Sequence, residues 1–155
     1  MFTNHFVLAF VIPNGSPSIL REVMAVTASD YVDVVIVASD HPSIQSEARM
    51  LEAVDFAYSP VGSDEPSVDT LSAYFASPDV EIAPDSDPLI LVIEGEQSDL
   101  TGEIVTEALD RFFLADGIES MVFDLPGARF KAVTHDSFLR TGLVTQENAL
   151  VLAGR

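Results

Sequence analysis

Apolar residues along this chain come in short unbroken runs, separated by segments in which they recur every three or four positions. The run Leu89-Ile90-Leu91-Val92-Ile93 leads into an acidic turn, Glu94-Gly95-Glu96-Gln97-Ser98, and then into Leu100, Ile104, Val105, Ala108 and Phe112 at helical spacing. Five consecutive apolar positions suit a strand buried on both faces, and the 3.6-residue period suits a helix with one face inward. The same alternation starts earlier. Phe6 to Ile12 is uninterrupted apolar sequence, Pro13-Asn14-Gly15 makes a turn, and Ser16-Pro17 supplies a helix start ahead of Ile19, Leu20, Val23 and Met24.

Val34 to Val37 reads as a second buried strand. Ser39, Asp40 and Pro42 open a further helix with Ile44, Ala48, Leu51 and Val54 turned inward. Ser59 to Asp69 changes to Pro, Gly, Ser and acids, which predicts a surface loop, with Ser67 capping a short helix that carries Val68, Leu71 and Phe75. A polar stretch from Ser77 to Pro88 leaves room for a brief strand at Val80–Ile82. After the central unit, whose helix is expected to be capped by Ser98 and to end near Gly117, Met121 to Phe123 is another strand. Ala128 to Val133 sets Arg129 and Lys131 against Phe130 and Ala132, the period of a half-exposed strand, which is expected at a sheet edge. Asp136 to Arg140 fits a helical turn, and Ala149 to Ala153 a last strand.

Strands alternating with helices predict one α/β domain over residues 1–155, with a mostly parallel or mixed sheet and helices packed on it. An internal echo suggests two βαβ-like halves: Val11-Ile12 and Val92-Ile93 lie 81 positions apart, as do Glu22-Val23 and Glu103-Ile104. Duplication and convergence both produce such an echo, and with so few identities convergence is preferred.

Charge changes this picture more than composition does. Asp and Glu number 25 against 7 Lys and Arg, a formal net charge of -18, and Lys131 is the sole lysine. Such a surface repels nucleic-acid phosphates and anionic lipid, so neither is an expected partner. The acids are spread through almost every turn and helix, which favours adaptation to high salt over mimicry of nucleic acid. There is no cysteine, hence no disulfide and no thiolate chemistry. No apolar run approaches the roughly 18 residues of a membrane span. The start lacks the basic region of a signal peptide, so a cytoplasmic or virion location is expected.

Candidate chemistry is gathered where strands end, since ligands of open α/β sheets sit beyond the carboxyl ends of parallel strands. That rule places Asn14 and Gly15 after the first strand, Asp40 after the second, Glu94 and Glu96 after the third, and Asp124 after the fourth. Carboxylates converging there could hold Mg²⁺, a hard cation that takes oxygen ligands and assists phosphoryl transfer. The phrase Leu91-Val92-Ile93-Glu94-Gly95-Glu96 with Asp99 resembles the first motif of Toprim domains, the metal-dependent module of primases and topoisomerases. Asp124-Leu125-Pro126-Gly127 is similar in part to that family's second motif, with Pro126 where a second aspartate belongs.

Against this stands the tendency of acids to occupy strand-to-helix turns for capping alone. Pro13 to Ser18 has one glycine and two prolines and lacks the make-up of a phosphate loop, and His5, His41 and His135 stand apart. The expectation is therefore a non-enzymatic assembly subunit adapted to high salt, such as a virion component, without cofactor, that forms homo-oligomers or joins other subunits. Its interface would use Arg129, Lys131, Arg140 and Phe113. The alternatives are a Mg²⁺-dependent phosphoryl-transfer or nucleotide-processing enzyme using Glu94, Glu96, Asp124 and Asp40, and an acidic inhibitor of a basic protein.

Overall fold

The computed structural model describes residues 6–60, 62, 64–78, 80, 87–115 and 118–142, together with the backbone of 150–153. Seven strands form one mixed sheet: β1 (Val7–Ile12), β2 (Val34–Ala38), β3 (Val54–Phe56), β4 (Leu89–Glu94), β5 (Ser120–Leu125), β6 (Ala128–Thr134) and β7 (Leu150–Ala153). Their spatial order is β3-β2-β1-β4-β6-β5-β7. The strands β1 to β4 are mutually parallel, β6 runs antiparallel to both β4 and β5, and β7 is parallel to β5. The expectation of an α/β domain with a mixed sheet is met.

Among the described residues five helices cover the sheet: α1 (Leu20–Thr27), α2 (Pro42–Met50), α3 (Pro66–Ala76), α4 (Gly102–Leu114) and α5 (His135–Thr141). One face carries Val7, Ala9, Val11, Leu89, Leu91, Ile93 and Phe130, packed with Val23 of α1, Ile44 of α2 and Leu109 of α4. The other face carries Leu8, Phe10, Ile12, Ile90, Val92 and Val133 under Leu71 of α3 and Phe138 of α5. Because both faces of β1 and β4 are covered, every residue of β1 is buried, as are all of β4 but Glu94. This is why those strands have no polar alternation.

Several expectations change. The β6 strand alternates as predicted, with Arg129 and Lys131 exposed, yet it lies inside the sheet between β4 and β5. Its polar positions mark a stretch of sheet face that no helix among the described residues covers, rather than an edge. Val54 leaves the inner face of α2, because that helix stops at Met50 and Glu52 turns left-handed at φ 61°. The chain then enters β3, where Val54 is 43% exposed. Helix α1 begins at Leu20, not at Ser16. Glu47 of α2 steadies the residues ahead of it, accepting from the Ile19 N–H at 3.0 Å and from the Ser18 hydroxyl, while the Ser18 oxygen accepts from the Leu20 N–H. Helix α4 is capped by Thr101, whose hydroxyl oxygen accepts from the Ile104 N–H at 3.2 Å, in place of Ser98, and ends at Leu114. The expected strand at Val80–Ile82 reaches outside the described residues.

The echo between the halves corresponds to two βα units lying side by side. Strands β1 and β4 pair directly, and α1 and α4 pack on each other at Gly102.

Candidate functional site

Strand order reverses at the β1–β4 pair. From β1 the chain builds outward through β2 to β3, then returns to set β4 on the opposite side of β1. A crevice beyond the carboxyl ends of the strands at such a reversal is where open α/β sheets take their ligands. A cleft of about 1110 Å³ opens beside this reversal, lined by β4, β5 and β6 and not by β1. Its floor is the uncovered sheet face, with Val92 of β4, Lys131 and Arg129 of β6, and Val122 and Asp124 of β5. Its rim includes Asp64, Glu65 and Ser67 ahead of and at the start of α3, and the Glu94 to Gln97 turn.

Glu94 is a carboxylate of this cleft held on both of its oxygens. It ends β4 on the same sheet face as Ile90 and Val92, half-buried. The Asn14 side-chain amide, from the turn after β1, donates to its Oε2 at 2.8 Å, and the Ser67 hydroxyl donates to its Oε1. Three segments far apart in sequence thus meet on one side chain. Asn14 sits at φ 46° to do so, a conformation that asparagine tolerates better than most residues. Gly95 follows at φ 75°, which lets the chain reverse directly after the strand.

The turn is fixed from beneath by Gln97, which is buried. Its backbone N–H donates to Glu22 Oε2 of α1 at 2.9 Å, its side-chain amide donates to the Glu94 carbonyl at 2.9 Å, and its Oε1 accepts from the Arg129 N–H. Glu22, only 2% exposed, is therefore a structural acceptor under the loop. The Asp99 N–H donates to the Gly127 carbonyl at 2.7 Å, tying the same loop to the β5–β6 turn. A turn braced against α1, β4 and β6 holds its carboxylates in place before any ligand arrives.

The predicted metal residues are brought together only in part. Glu94, Glu96 and Asp124 all line the cleft, Glu96 from an exposed position in the turn. Asp40 is exposed at the end of β2 and does not line it. Among the described residues, no three His, Asp or Glu side chains gather in a way that could cage an ion. Mg²⁺ held chiefly by substrate phosphates and water asks for only one or two protein carboxylates.

Of the predicted interface residues, Arg129 and Lys131 lie on the cleft floor, with Arg129 paired to Asp124 at 2.8 Å. Arg140 pairs with Asp136 at 3.2 Å and with Glu119. Phe113 packs edge-on against Tyr31, ring centres 5.1 Å apart. His41 is a helix cap, its ring nitrogen accepting from the Ser43 N–H, and His135 packs against the Phe75 ring. Ser67, expected only as a cap, and Gln97, not expected at all, are the site residues that sequence missed. The bonds from Ser67 to Glu94, from Gln97 to Glu22 and from Arg129 to Gln97 span at least 27 positions, and no local pattern announces such bonds.

No protein-family model matches the sequence, and neither does any curated protein. Solved structures do share the fold. A cytidylyltransferase from Leptospira borgpetersenii serovar Hardjo-bovis superposes with TM-score 0.58 at 15% identity, over 93% of this chain and 66% of that one. CMP:2-keto-3-deoxy-manno-octonic acid synthetase complexed with CTP gives 0.63 at 9% identity, over 96% and 90%. Glucosyl-3-phosphoglycerate synthase from Mycobacterium tuberculosis, in complex with Mn²⁺, UDP and glucosyl-3-phosphoglycerate, gives 0.65 at 12% identity, over 96% and 70%. At these identities the likeness establishes the fold, one that this chain shares with the transferase, the synthetase and the synthase just described. It overturns the expectation of a non-enzymatic assembly subunit or virion component. That reading treated the turn acids as solubilising caps, whereas the tertiary structure has Glu94 line a cleft next to the β1–β4 reversal. The neighbours' complexes with Mg²⁺ or Mn²⁺ and UDP likewise bear on the expectation of no cofactor.

Proposed function

We propose that this cleft binds a nucleoside di- or triphosphate together with a divalent cation, as the donor site of a nucleotidyl- or glycosyl-transferring enzyme. The observation that carries the reading is the placement of Glu94 at the β1–β4 reversal, gripped by Asn14 and Ser67. Complexes of the structural neighbours with CTP, and with UDP plus Mg²⁺ or Mn²⁺, support it.

Electrostatics argue for the cation independently. Asp64, Glu65, Glu94, Glu96 and Asp124 line the cleft, and a polyphosphate entering alone would meet like charge. A nucleotide arriving with Mg²⁺ exchanges that repulsion for attraction, with Glu94, and Glu96 beside it, as the protein's oxygen donors. When bound, the ion would neutralise charge developing on the leaving phosphate. The chain's own part is to aim the carboxylate: Asn14 and Ser67 each occupy one oxygen of Glu94, and Gln97 holds the backbone that carries it. Ser67 stands where α3 meets the cleft, so the rim and the carboxylate are positioned together.

Calorimetric titration of the full chain with CTP and with UDP tests this, each in Mg²⁺ and in chelator. Binding of at least one nucleotide is expected in Mg²⁺, weakening at least about tenfold in chelator or in Glu94→Gln, the loss of one charge-assisted contact. Binding of neither nucleotide, or equal binding with and without the ion, would overturn the proposal.

A further inference from the structure

We infer that the second substrate of this cleft carries an anionic group, a phosphate or carboxylate, and that Lys131 and Arg129 of β6 receive it; this rests on the donor-site reading above. Positions i and i+2 of a strand face the same way, so the two cations project together onto the uncovered sheet face. Lys131 lies between Val92 of β4 and Val122 of β5, and Arg129 lies across from Asp124. Lys131 is paired with both β4 and β5, and Arg129 with β5 and through its N–H with Gln97, so the platform is held from both sides.

Keeping an open sheet face wet would explain polar residues here, but not their sign. Acids outnumber cations 25 to 7 in this chain, so solvation alone would draw carboxylates. Instead the sole lysine and one of the few arginines occupy both outward positions of the strand in the cleft. The charges are also sorted. Asp64, Glu65, Glu94 and Glu96 belong to the rim, and the cations to the floor, with Asp124 beside Arg129. A metal-bound nucleotide at the β4 turn and an anion on β6 would each meet opposite charge. The Arg129–Asp124 pair is 70% and 57% exposed, and a pair so well solvated holds weakly, so a ligand anion can take the place of Asp124.

The test titrates the full chain, in Mg²⁺ and saturating nucleotide, with glycerol 3-phosphate, glycerate and glycerol. Both anions should bind measurably more tightly than glycerol. Lys131→Ala should weaken glycerol 3-phosphate about tenfold, the loss of one charged contact, with nucleotide affinity unchanged. Asp124→Asn should tighten glycerol 3-phosphate by freeing Arg129. Glycerol binding as well as its phosphate would overturn the inference. So would a Lys131→Ala variant that loses nucleotide affinity by the same factor, because the cations would then serve the donor. Inorganic phosphate titrated into nucleotide-free protein separates the two readings. Binding that Lys131→Ala weakens supports the anion site even where no nucleotide binds, and a wild-type chain that takes up neither phosphate nor glycerol 3-phosphate overturns it.

Discussion

Tyr74 shows how one side chain reports its surroundings. It lies edge-on to Phe10, Phe56 and Phe75, ring centres 5.1 to 5.4 Å away, on the α3 side of the sheet. Desolvation by these rings raises its phenol above the ordinary value of 10.0. Tyr31 is raised too, first because its hydroxyl donates to the Asp110 carboxylate and then by desolvation. For both groups the folded state keeps the proton longer than the unfolded chain does. Their stabilisation is thus complete below pH 10 and lost as pH rises through the folded values. Urea midpoints measured from pH 9 upward should fall beyond about pH 10, and Tyr74→Phe should flatten part of that fall. An unchanged slope in the variant would assign the alkaline loss to other groups. Residue-level chemistry was partly legible in the sequence: Glu94 was singled out for ending a strand. That Asn14 and Ser67 would grip it, and Gln97 brace its turn, depended on segments 80, 27 and 32 positions apart meeting in space.

Elements were legible where periodicity was strong and blurred where their ends depended on neighbours. The β1 and β4 strands and the inner faces of α1 and α4 follow from apolar spacing alone. The start of α1 does not, because the residues leading into it are held by Glu47 of α2. The β6 strand shows the converse: its alternation predicts half exposure, which holds, and an edge, which does not, since an unpaired side and an uncovered face give the same period. The α1–α4 contact provides a test at this scale. A Cβ on Gly102 would stand 2.6 Å from the Ala28 Cβ and 3.3 Å from the Ala25 carbonyl oxygen. Gly102→Val should destabilise by about 1–3 kcal/mol in urea unfolding, the usual cost of overpacking. Ala28→Gly in the same chain should recover part of it, and strict additivity of the two changes would deny the close approach.

For the whole molecule the dominant quantity is the net charge of -18. Self-repulsion on this scale opposes the compact state and is relieved by salt. Between about 0.01 M and 1 M the screening length falls from roughly 30 Å to roughly 3 Å. The thermal unfolding midpoint should therefore rise across that range, and a flat profile would show that the acids lie too far apart to matter. The same charge shapes the cleft, whose acidic rim admits a polyphosphate best with its cation. Among the described residues no helix is long and apolar enough to cross a membrane.

Local sequence determined most of the strands and helices, though not β3, because burial on one or two faces dictates apolar spacing before any partner is specified. It determined too that acids would cluster where strands end, but acids there serve caps and ligands alike. Tertiary structure decided between those uses. Only the return of the chain across β2 and β1, setting β4 beside β1, creates the reversal at which Glu94 faces a cleft. Only the bare face above β6 turns an alternating pattern into a cationic floor. Strand order and helix coverage arise from packing between segments distant in the chain, and no window of sequence encodes them.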